Sequence, residues 1–378
     1  MSLRVVVVLP SFQPIIGGVE LYGLNFCKEL VHNGHEVHVL TPDRIMGKRL
    51  APSNEKIEGI NVHRIKTLFD LSYRIRLWPS LKGKIKEIAP DIVHVYSHDS
   101  YSWLALSACR ESRIPLLLTT YGPFNSQNER GTISTMALIA YDTYVAPRIL
   151  RNATMVNVRY PELVEWLLGI GVNREMVSLE PSCITPEYLL EGDGEQFKES
   201  LGLKTAKVIL YLGRITKQKG VHNLIKAAEL VHRDIPDTEL VLMGPRDTQL
   251  ELGDLPSWIH IVPPTTSARA ERNAIAAADL FVMPSRFEGF SQAVLKALAQ
   301  GKRVIVTSVG GLPFEIDYGK YGRLVQYGAI ESLGKAIVEH FRNPPHLDVD
   351  EIKKYASKFT YKENAKRIQA QYLEILNH

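Results

Sequence analysis

The feature that most constrains the fold is a series of short, continuous apolar runs rich in β-branched residues. In the first half of the chain these runs are Val5–Leu9, Val37–Leu40, Ile92–Val95 and Leu116–Leu118. Runs of this length predict parallel strands that are buried on both faces. Segments with helical periodicity separate them, at Val19–Asn33, Ser80–Ile88 and Tyr101–Arg110. Strands that alternate with helices in this way predict a doubly wound α/β domain.

The same alternation begins again in the second half. Its runs are Val208–Leu212, Leu240–Met243, Leu280–Met283 and Val304–Val306, and its helical segments are Val221–His232, Ala268–Ala277, Ser291–Gln300 and Glu331–Phe341. A length of 378 residues also favours two domains. Because prolines and a composition shift mark Leu179–Pro186, we predict a first Rossmann-like domain over 1–183 and a second over 184–355. A long helical pattern over Asp350–Asn377 predicts that residues 356–378 form a helix that returns to the first domain.

Composition excludes several classes of protein. Hydrophobic residues make up 45% and charged residues 23% of the chain, as in ordinary globular proteins. The three cysteines, Cys27, Cys109 and Cys183, form no CxxC pair, which favours a reducing compartment and argues against zinc. No apolar stretch approaches the roughly 20 residues that span a bilayer. The apolar stretch that begins at Val5 is also too short for the hydrophobic region of a signal peptide. We therefore expect a cytoplasmic protein, with the inner membrane surface as an alternative, and a net charge of +4 gives no reason to expect a nucleic-acid partner.

The loop Pro10–Glu20 follows the first strand and opens a helix. Gly17 and Gly18 would let a ligand approach the backbone, and the helix N-terminus offers N–H groups to an anion. The nicotinamide fingerprint GxGxxG is absent, which disfavours a dehydrogenase. Two glycines are weak evidence, and their spacing alone favours an ordinary turn before a helix.

Two loops of the second half carry stronger signals. Arg214, Lys217 and Lys219 directly follow the strand Val208–Leu212, and guanidinium and ammonium groups suit a diphosphate. The alternative is a solvated basic loop. After Leu280–Met283, Glu288 stands before a helix start, where a carboxylate could accept hydrogen bonds from sugar hydroxyls.

Three motifs carry a resemblance to a known family: GGVE in the first loop, GRITKQKG in the second half, and PSRFEGFSQAVLKALAQGKRVIVTSVGG after it. A further segment, PDIVHVYSH, resembles a strand of the family's first domain. Together they resemble glycosyltransferase family 4, a retaining family with the GT-B fold, in which two Rossmann-like domains face a cleft. The resemblance covers essentially the whole chain.

The resemblance implies a transferase that moves a sugar from a nucleotide diphosphate to a hydroxyl acceptor, a glycan or a lipid-linked molecule, without an essential metal or cofactor. Arg214 and Lys219 would stabilise the departing diphosphate, and Glu288 would hold the donor sugar. The backbone of residues 290–292 would face the sugar or phosphate, and Gly17 and Gly18 would lie against the donor. The residues in this stretch are Phe290, Ser291 and Gln292. Stabilisation of a leaving group by preorganised cations is a large catalytic effect.

The chain departs from the family at four positions. Lys296 replaces the second glutamate of the Glu-x7-Glu motif, which would bind the ribose hydroxyls, and a cation cannot accept those hydrogen bonds. We expect it to meet a phosphate, pair with Glu288 or point to solvent. Tyr121 stands where the family has a histidine, Pro181-Ser182-Cys183 replaces Pro-Asn-Gly, and Phe314 occupies a common glutamate position.

These departures keep a second function in view, a catalytically impaired relative that binds a sugar nucleotide or a glycan. A sugar-nucleotide epimerase of the same fold would need an acid/base pair that the sequence does not reveal. His94 and His98 lie in and just after the third strand and could face the cleft, although packed strand histidines are commoner.

One local segment accounts for the positive charge. Residues 64–88 carry a charge of +5 and contain Phe69, Tyr73 and Trp78. Basic residues among aromatics can dock on anionic lipid. The alternative, favoured by an apolar stripe of Leu77, Leu81, Ile85 and Ile88, is a helix that packs on the sheet with solvated lysines.

Overall fold

The computed structural model describes residues 2–15, 17–45, 48–49, 52–72, 75–123, 132–203, 207–247, 250–344 and 348–377. The chain divides into two compact units. Unit 1 comprises Met1–Pro181 and Tyr361–His378, and unit 2 comprises Ser182–Thr360. The chain first passes from unit 1 to unit 2 after Pro181, two residues before the predicted domain boundary. Residues 356–360, which we predicted to begin the terminal segment, lie in unit 2.

Unit 1 is built on an eight-stranded sheet in which neighbouring strands are parallel, except for one antiparallel pair at an edge. In spatial order its strands are Val177–Leu179, Met155–Val158, Leu116–Thr120, Ile92–Tyr96, Arg4–Val8, Glu36–Pro42, Ile60–Ile65 and Asn54–Ile57. The apolar runs form the central strands, whose residues are almost entirely buried, because elements cover both faces of a central parallel strand. Two short hairpins, Arg44–Ile45 with Lys48–Arg49 and Phe69–Ser72 with Ile75–Leu77, lie outside this sheet.

Helices connect the strands of unit 1. They are Gly18–His32, Leu81–Ile88, Ser100–Ser112, Thr132–Ala140, Ala146–Leu150, Glu162–Gly169 and Tyr361–Asn377, with a π-helical turn at Tyr141–Val145 and a 3-10 turn at Arg174–Met176. The last helix packs against Gly18–His32.

The prediction of one helix over Asp350–Asn377 is wrong. The structure has two helices there, Val349–Ser357 in unit 2 and Tyr361–Asn377 in unit 1. The chain leaves helical geometry because the backbone near Thr360 pairs with the linker: the Ile184 amide donates to the Phe359 carbonyl at 2.9 Å.

Unit 2 contains a six-stranded, wholly parallel sheet. Its spatial order is Ile259–Val262, Thr238–Met243, Lys207–Leu212, Leu280–Met283, Val304–Thr307 and Gly322–Val325. Its helices are Gly194–Leu201, Val221–Asp234, Ala268–Ala277, Gln292–Ala299, Leu312–Glu315, Ile330–Arg342 and Val349–Ser357, with 3-10 turns at Pro186–Leu189 and Asp317–Gly319. Numbered along the chain, the strand order is 3-2-1-4-5-6, the order of a Rossmann-type sheet.

Each sheet has a switch point where the strand order reverses direction. In unit 2 it lies between Lys207–Leu212 and Leu280–Met283, and in unit 1 between Arg4–Val8 and Ile92–Tyr96. Loops that follow the two strands of a switch point diverge and leave a crevice at the carboxyl ends, which is where such sheets bind ligands. The loops with Arg214, Lys219 and Glu288 therefore lie where a ligand site is expected.

The basic segment 64–88 packs into unit 1. Trp78, which we counted among the residues that could contact lipid, is fully buried and stacks on Tyr101 with 4.4 Å between ring centroids. Arg64 and Arg76 are buried, while Tyr73, Arg74 and the side chain of Phe69 lie outside what the structure describes.

The three lysines of its helix are paired. Lys82 and Lys86 both contact Glu111, and Lys84 contacts Glu87 at 2.8 Å. Leu77 is exposed in a strand, so only Leu81, Ile85 and Ile88 form the buried stripe. Among the described residues of this segment, Trp78 and the three lysines of the helix find partners within unit 1, as the packing alternative predicts.

Across the described residues, no helix combines the length and the apolar character needed to cross a membrane. Cys27, Cys109 and Cys183 are all buried free thiols.

Candidate functional site

Two loops at the switch point of unit 2 bring a lysine and a carboxylate together. Lys219, on the loop after Lys207–Leu212, places Nζ 2.5 Å from Oε2 of Glu288, on the loop after Leu280–Met283. Both side chains are mostly buried, at 16% and 11% exposure. The Ser285 hydroxyl donates to the same Glu288 oxygen at 3.3 Å. Two of the three residues that we predicted to be catalytic therefore lie in direct contact.

The same two loops are joined through their backbones. The Arg286 amide donates to the Gln218 carbonyl at 2.9 Å. Gly220 has φ of +68° and lies so close to the Pro284 carbonyl that a Cβ there would overlap it. Only glycine combines that backbone angle with that close approach. The backbones of the loops that carry Lys219 and Glu288 are thus held close together.

Arg214 lies on the exposed side of its loop. The buried Tyr211 hydroxyl anchors the Arg214 backbone by donating a hydrogen bond to its carbonyl at 2.7 Å. The structure therefore leaves this guanidinium at the surface of the crevice, where an anionic ligand can reach it.

A third loop, around Gly310 and Gly311, supports the Glu288 loop. The Gly311 amide is shared between the carbonyls of Glu288 at 3.3 Å and Gly289 at 3.1 Å. Gly310 has φ of +53°, and a Cβ on it would overlap the Glu288 carbonyl oxygen. Gly310 and Gly311 thus let one protein loop approach another.

The segment 290–292 begins the helix Gln292–Ala299. The Ser291 hydroxyl caps this helix by accepting from the Val294 amide at 3.4 Å. The Ser291 amide donates to Glu315, so this N–H points into the protein and not toward a ligand. The Gln292 side chain donates to the Cys183 carbonyl at 2.8 Å.

Phe314 does not take over the role of the glutamate that the family commonly has at its position. Its ring packs against Phe290 and Phe359, with centroids 6.3 Å away in each case. The neighbouring Glu315 is instead the buried carboxyl group, with no exposed surface. Its pKa is raised well above the ordinary value, chiefly because burial disfavours the charged form. The sequence interpretation missed Glu315, since its role depends on the direction in which a one-turn helix points it.

Lys296 neither pairs with Glu288 nor points to solvent, which are two of the three positions that we expected. Its Nζ lies 2.5 Å from Oε2 of Glu271 on the helix Ala268–Ala277, and both side chains are only 16% exposed. It also sits over the Tyr188 ring, 4.4 Å from the centroid, and the Tyr188 hydroxyl donates to the same Glu271 oxygen. The cation at the motif position is thus neutralised by a carboxylate from a neighbouring helix, which the sequence interpretation did not identify.

In unit 1, Gly17 and Gly18 have different surroundings. The carboxylate of Glu20 folds back over Gly17, where a Cβ would collide with it, and it accepts a hydrogen bond from Ser11. Gly18 has no neighbouring atom within 4 Å of a Cβ position. Glu20 stabilises the positive end of the helix Gly18–His32. A ligand anion at this N-terminus would therefore lie beside a carboxylate.

Tyr121 follows the strand Leu116–Thr120 and contacts Arg159. An Arg159 guanidinium nitrogen donates to the Tyr121 hydroxyl at 3.3 Å, and the guanidinium carbon lies 5.0 Å from the Tyr121 ring centroid. Burial, the largest effect, raises the pKa of Tyr121 above its ordinary value. Its hydroxyl is therefore protonated at neutral pH and can donate a hydrogen bond, but it cannot act as a base.

Arg159 belongs to a buried ion pair with Glu180, at 3.3 Å, directly before the chain enters unit 2. Three hydroxyl groups donate hydrogen bonds to the Glu180 carboxylate. The Thr119 hydroxyl does so at 2.5 Å, the Tyr96 hydroxyl does so at 3.1 Å, and the third is the hydroxyl of Tyr22. Burial works to raise the pKa of Glu180, but the Arg159 charge and these hydrogen bonds outweigh it and hold the pKa below its ordinary value. Neither residue belongs to a motif, so no local signal marks the pair.

His94, in the strand Ile92–Tyr96, and His98, just after it, are both fully buried. The His94 ring nitrogens lie 2.8 Å from the hydroxyls of Tyr372 and Thr119, and burial lowers its pKa to about 4. His98 Nδ1 lies 2.9 Å from the Thr120 hydroxyl, and its Nε2 lies 3.9 Å from Asp142. The commoner interpretation, a packed histidine with hydrogen-bond partners, describes both residues.

A search of the described residues for three or more grouped histidine, cysteine, aspartate or glutamate side chains that could hold a metal ion found none.

Residues 16–187 match the family model described as Glycosyltransferase Family 4, and residues 206–343 match the model described as Glycosyl transferases group 1. A GDP-mannose-dependent alpha-mannosyltransferase of Mycolicibacterium smegmatis is 26% identical over 353 residues, covering 89% of this chain and 88% of that protein. The N-acetyl-alpha-D-glucosaminyl L-malate synthase of Bacillus anthracis is 24% identical over 341 residues, covering 83% and 82%.

Solved structures share the fold across the whole chain. Sucrose-phosphate synthase of Thermosynechococcus elongatus has a TM-score of 0.74 at 19% identity, covering 99% of each chain. Anabaena HepE in complex with UDP and glucose has a TM-score of 0.72 at 17% identity, covering 98% of this chain and 99% of that one. The predicted fold class, two Rossmann-like α/β domains of the GT-B type, is confirmed.

Proposed function

Because the chain belongs to glycosyltransferase family 4 and is a glycosyltransferase, we propose that its donor is a nucleotide-diphosphate sugar and its acceptor a hydroxyl group. The acceptor is a glycan or a lipid-linked molecule, the anomeric configuration is retained, and transfer needs no metal. Relatives of this chain support the donor class, since one is named for GDP-mannose and HepE has been solved with UDP and glucose.

The observation that carries the proposal is the Lys219–Glu288 contact of 2.5 Å at the switch point of unit 2. A carboxylate beside an ammonium group offers an acceptor for sugar hydroxyls and a cation for the adjoining phosphate within one small site. Arg214 adds an exposed guanidinium on the same loop as Lys219. Charge-assisted hydrogen bonds from such groups suit a diphosphate.

In this mechanism Arg214 and Lys219 neutralise the charge that develops on the diphosphate as the bond between it and the anomeric carbon of the sugar breaks. Preorganised cations at the position of developing charge lower the barrier without solvent reorganisation. This is why the proposed reaction needs no metal ion. Glu288 fixes the donor sugar through its hydroxyls, and the Tyr121 hydroxyl is a hydrogen-bond donor for a substrate in unit 1.

The test begins with donor binding. Thermal shifts are measured with UDP-, GDP- and ADP-sugars, followed by donor hydrolysis and transfer, and the anomeric configuration of the product is determined by NMR. Arg214→Ala and Lys219→Ala should each weaken the binding of the recognised donor by about ten- to a hundredfold, the loss of a charge-assisted hydrogen bond.

Lys217→Ala is the matched control, because Lys217 is an exposed cation on the same loop. We expect it to change donor affinity little. Failure of every nucleotide sugar to bind would overturn the proposal. Equal weakening by all three variants would indicate a solvated basic loop. Binding without hydrolysis or transfer would favour the second function, a catalytically impaired relative that binds a sugar nucleotide, for which Lys296 in its Glu271 pair is the supporting observation.

A further inference from the structure

A buried carboxyl group lies directly behind the loop that presents Glu288. Glu315 has no exposed surface, and its Oε1 accepts a hydrogen bond from the Ser291 amide. Its Oε2 is also buried and has no hydrogen-bond partner among the described residues. A buried polar atom in this state is uncommon and calls for a physical reason.

The Glu288 loop is anchored at two points. At one end, the Gly311 amide donates to the carbonyls of Glu288 and Gly289. At the other end, Glu315 holds the Ser291 amide, and the Ser291 hydroxyl caps the next helix. Residues 288–291 are therefore fixed between Gly311 and Glu315, and the direction of the Glu288 side chain depends on both.

The burial of Glu315 favours its neutral form. Burial is the largest effect and raises its pKa well above the ordinary value. The Ser291 N–H works in the opposite direction, the Glu288 carboxylate raises the pKa further, and the Lys219 ammonium lowers it. Tyr355 and Asp317 are further titratable groups nearby, and the Tyr355 hydroxyl donates to the Phe314 carbonyl at 3.0 Å.

We propose that Glu315 is a positioning residue that works as a neutral carboxylic acid: it accepts a hydrogen bond from the Ser291 amide and keeps residues 288–291 in the conformation that presents Glu288 to the donor. Ionisation, once the pH rises past the raised pKa of Glu315, places a second buried negative charge near Glu288. The resulting repulsion and desolvation cost loosen the loop, so donor turnover falls. This inference rests on the proposed role of Glu288 in binding the donor sugar.

The decisive variant is Glu315→Gln. Glutamine has nearly the same shape, is neutral at every pH, and keeps a carbonyl oxygen for the Ser291 amide. We expect turnover within about threefold of the wild-type value at pH 7, since less than 1 kcal/mol is at stake when the hydrogen bond survives. The wild-type enzyme should lose turnover on the alkaline side of its pH profile, and Glu315→Gln should extend that side upward.

Glu315→Met removes the acceptor and should reduce turnover about tenfold or more, because the Ser291 amide is left unsatisfied. Glu331→Gln, which removes an exposed carboxylate of the same unit, is the matched control and should leave the pH profile unchanged. The inference is overturned if Glu315→Gln is as inactive as Glu315→Met, or if its pH profile coincides with that of the wild type.

A second measurement needs no donor. A raised pKa in the folded state makes the protein lose stability as pH rises from the unfolded value of about 4.5 toward the folded value. Denaturant unfolding of the wild type should therefore show a decline in this range that Glu315→Gln lacks. If this difference appears but no donor binds, the proposed function fails while the neutral state of Glu315 stands. If donors bind but the two proteins unfold with the same pH dependence, the inference fails alone.

Discussion

Gly310→Ala provides a sharp test of how the Glu288 loop is held. Gly310 has φ of +53°, in the left-handed region that alanine avoids at a cost of about 1–2 kcal/mol. The added Cβ would also overlap the carbonyl oxygen of Glu288. That oxygen belongs to a backbone held by the Gly311 amide, so it cannot move away as a flexible side chain would. Overpacking of this kind costs about 1–3 kcal/mol.

The two effects together predict that Gly310→Ala lowers the free energy of unfolding by about 2–5 kcal/mol. The displaced carbonyl carries the Glu288 side chain with it, so donor binding should weaken more than the stability loss alone would cause. Denaturant unfolding measures the first effect. Calorimetric titration with the recognised nucleotide sugar, at a temperature where the variant is folded, measures the second.

Alanine variants of two other glycines in unit 2 separate the effect of backbone strain from the effect of the overlap with Glu288. Gly328 has φ of +79° with no atom within 4 Å of a Cβ, so Gly328→Ala reports backbone strain alone. Gly289→Ala tests a position next to Glu288 with open space around it. The reasoning is refuted if Gly310→Ala is no more destabilising than Gly328→Ala, or if it binds donor as well as Gly289→Ala.

Three further predictions concern the buried and half-buried charges. Arg159→Met should lower the free energy of unfolding by about 3–5 kcal/mol because it leaves Glu180 buried and unpaired, and adding Glu180→Gln should restore part of the loss; urea unfolding that shows simple additivity would contradict the pairing. His94 has a folded pKa of about 4 against an ordinary 6.5, so the unfolded chain binds the proton more tightly and stability should fall by about 3 kcal/mol between pH 6.5 and 4. His94→Gln should remove that part of the acid sensitivity in unfolding measurements, and an unchanged acid response would count against it. Lys296→Glu should destabilise unit 2 by about 1–3 kcal/mol, because it sets a carboxylate against Glu271; a rise in donor affinity with no loss of stability would show instead that the lysine merely blocks a ribose site.

The architecture could be predicted from local sequence patterns. Continuous apolar runs are required wherever a parallel strand is buried on both faces, so these runs alone locate the central strands of both sheets. The edge strands Asn54–Ile57 and Gly322–Val325 are partly exposed and lack such runs, and for this reason the sequence did not reveal them. Because ligand loops follow the strands at a switch point, the contact between Lys219 and Glu288 could be expected although 69 residues separate them.

Other features depend on which groups the folded chain brings together. The helical periodicity continues past residue 358, yet the chain ends one helix there to pair Phe359 with Ile184, a partner that no local pattern reveals. The same limit applies to Lys296, whose role is set by Glu271 on another helix, and to the pair of Arg159 with Glu180.

The sequence by itself therefore determined the fold class, the family and the loops that carry the cations and Glu288, since these follow from hydrophobic periodicity and from motifs that are continuous along the chain. Only the tertiary structure decided the partners of the buried polar groups and the direction in which burial shifts the pKa of Glu315 and His94. The physical reason is that a pKa or an ion pair depends on desolvation and on distances between residues far apart in sequence. Glu315 illustrates this most clearly, because the fold buries this residue next to a motif position and thereby raises its pKa.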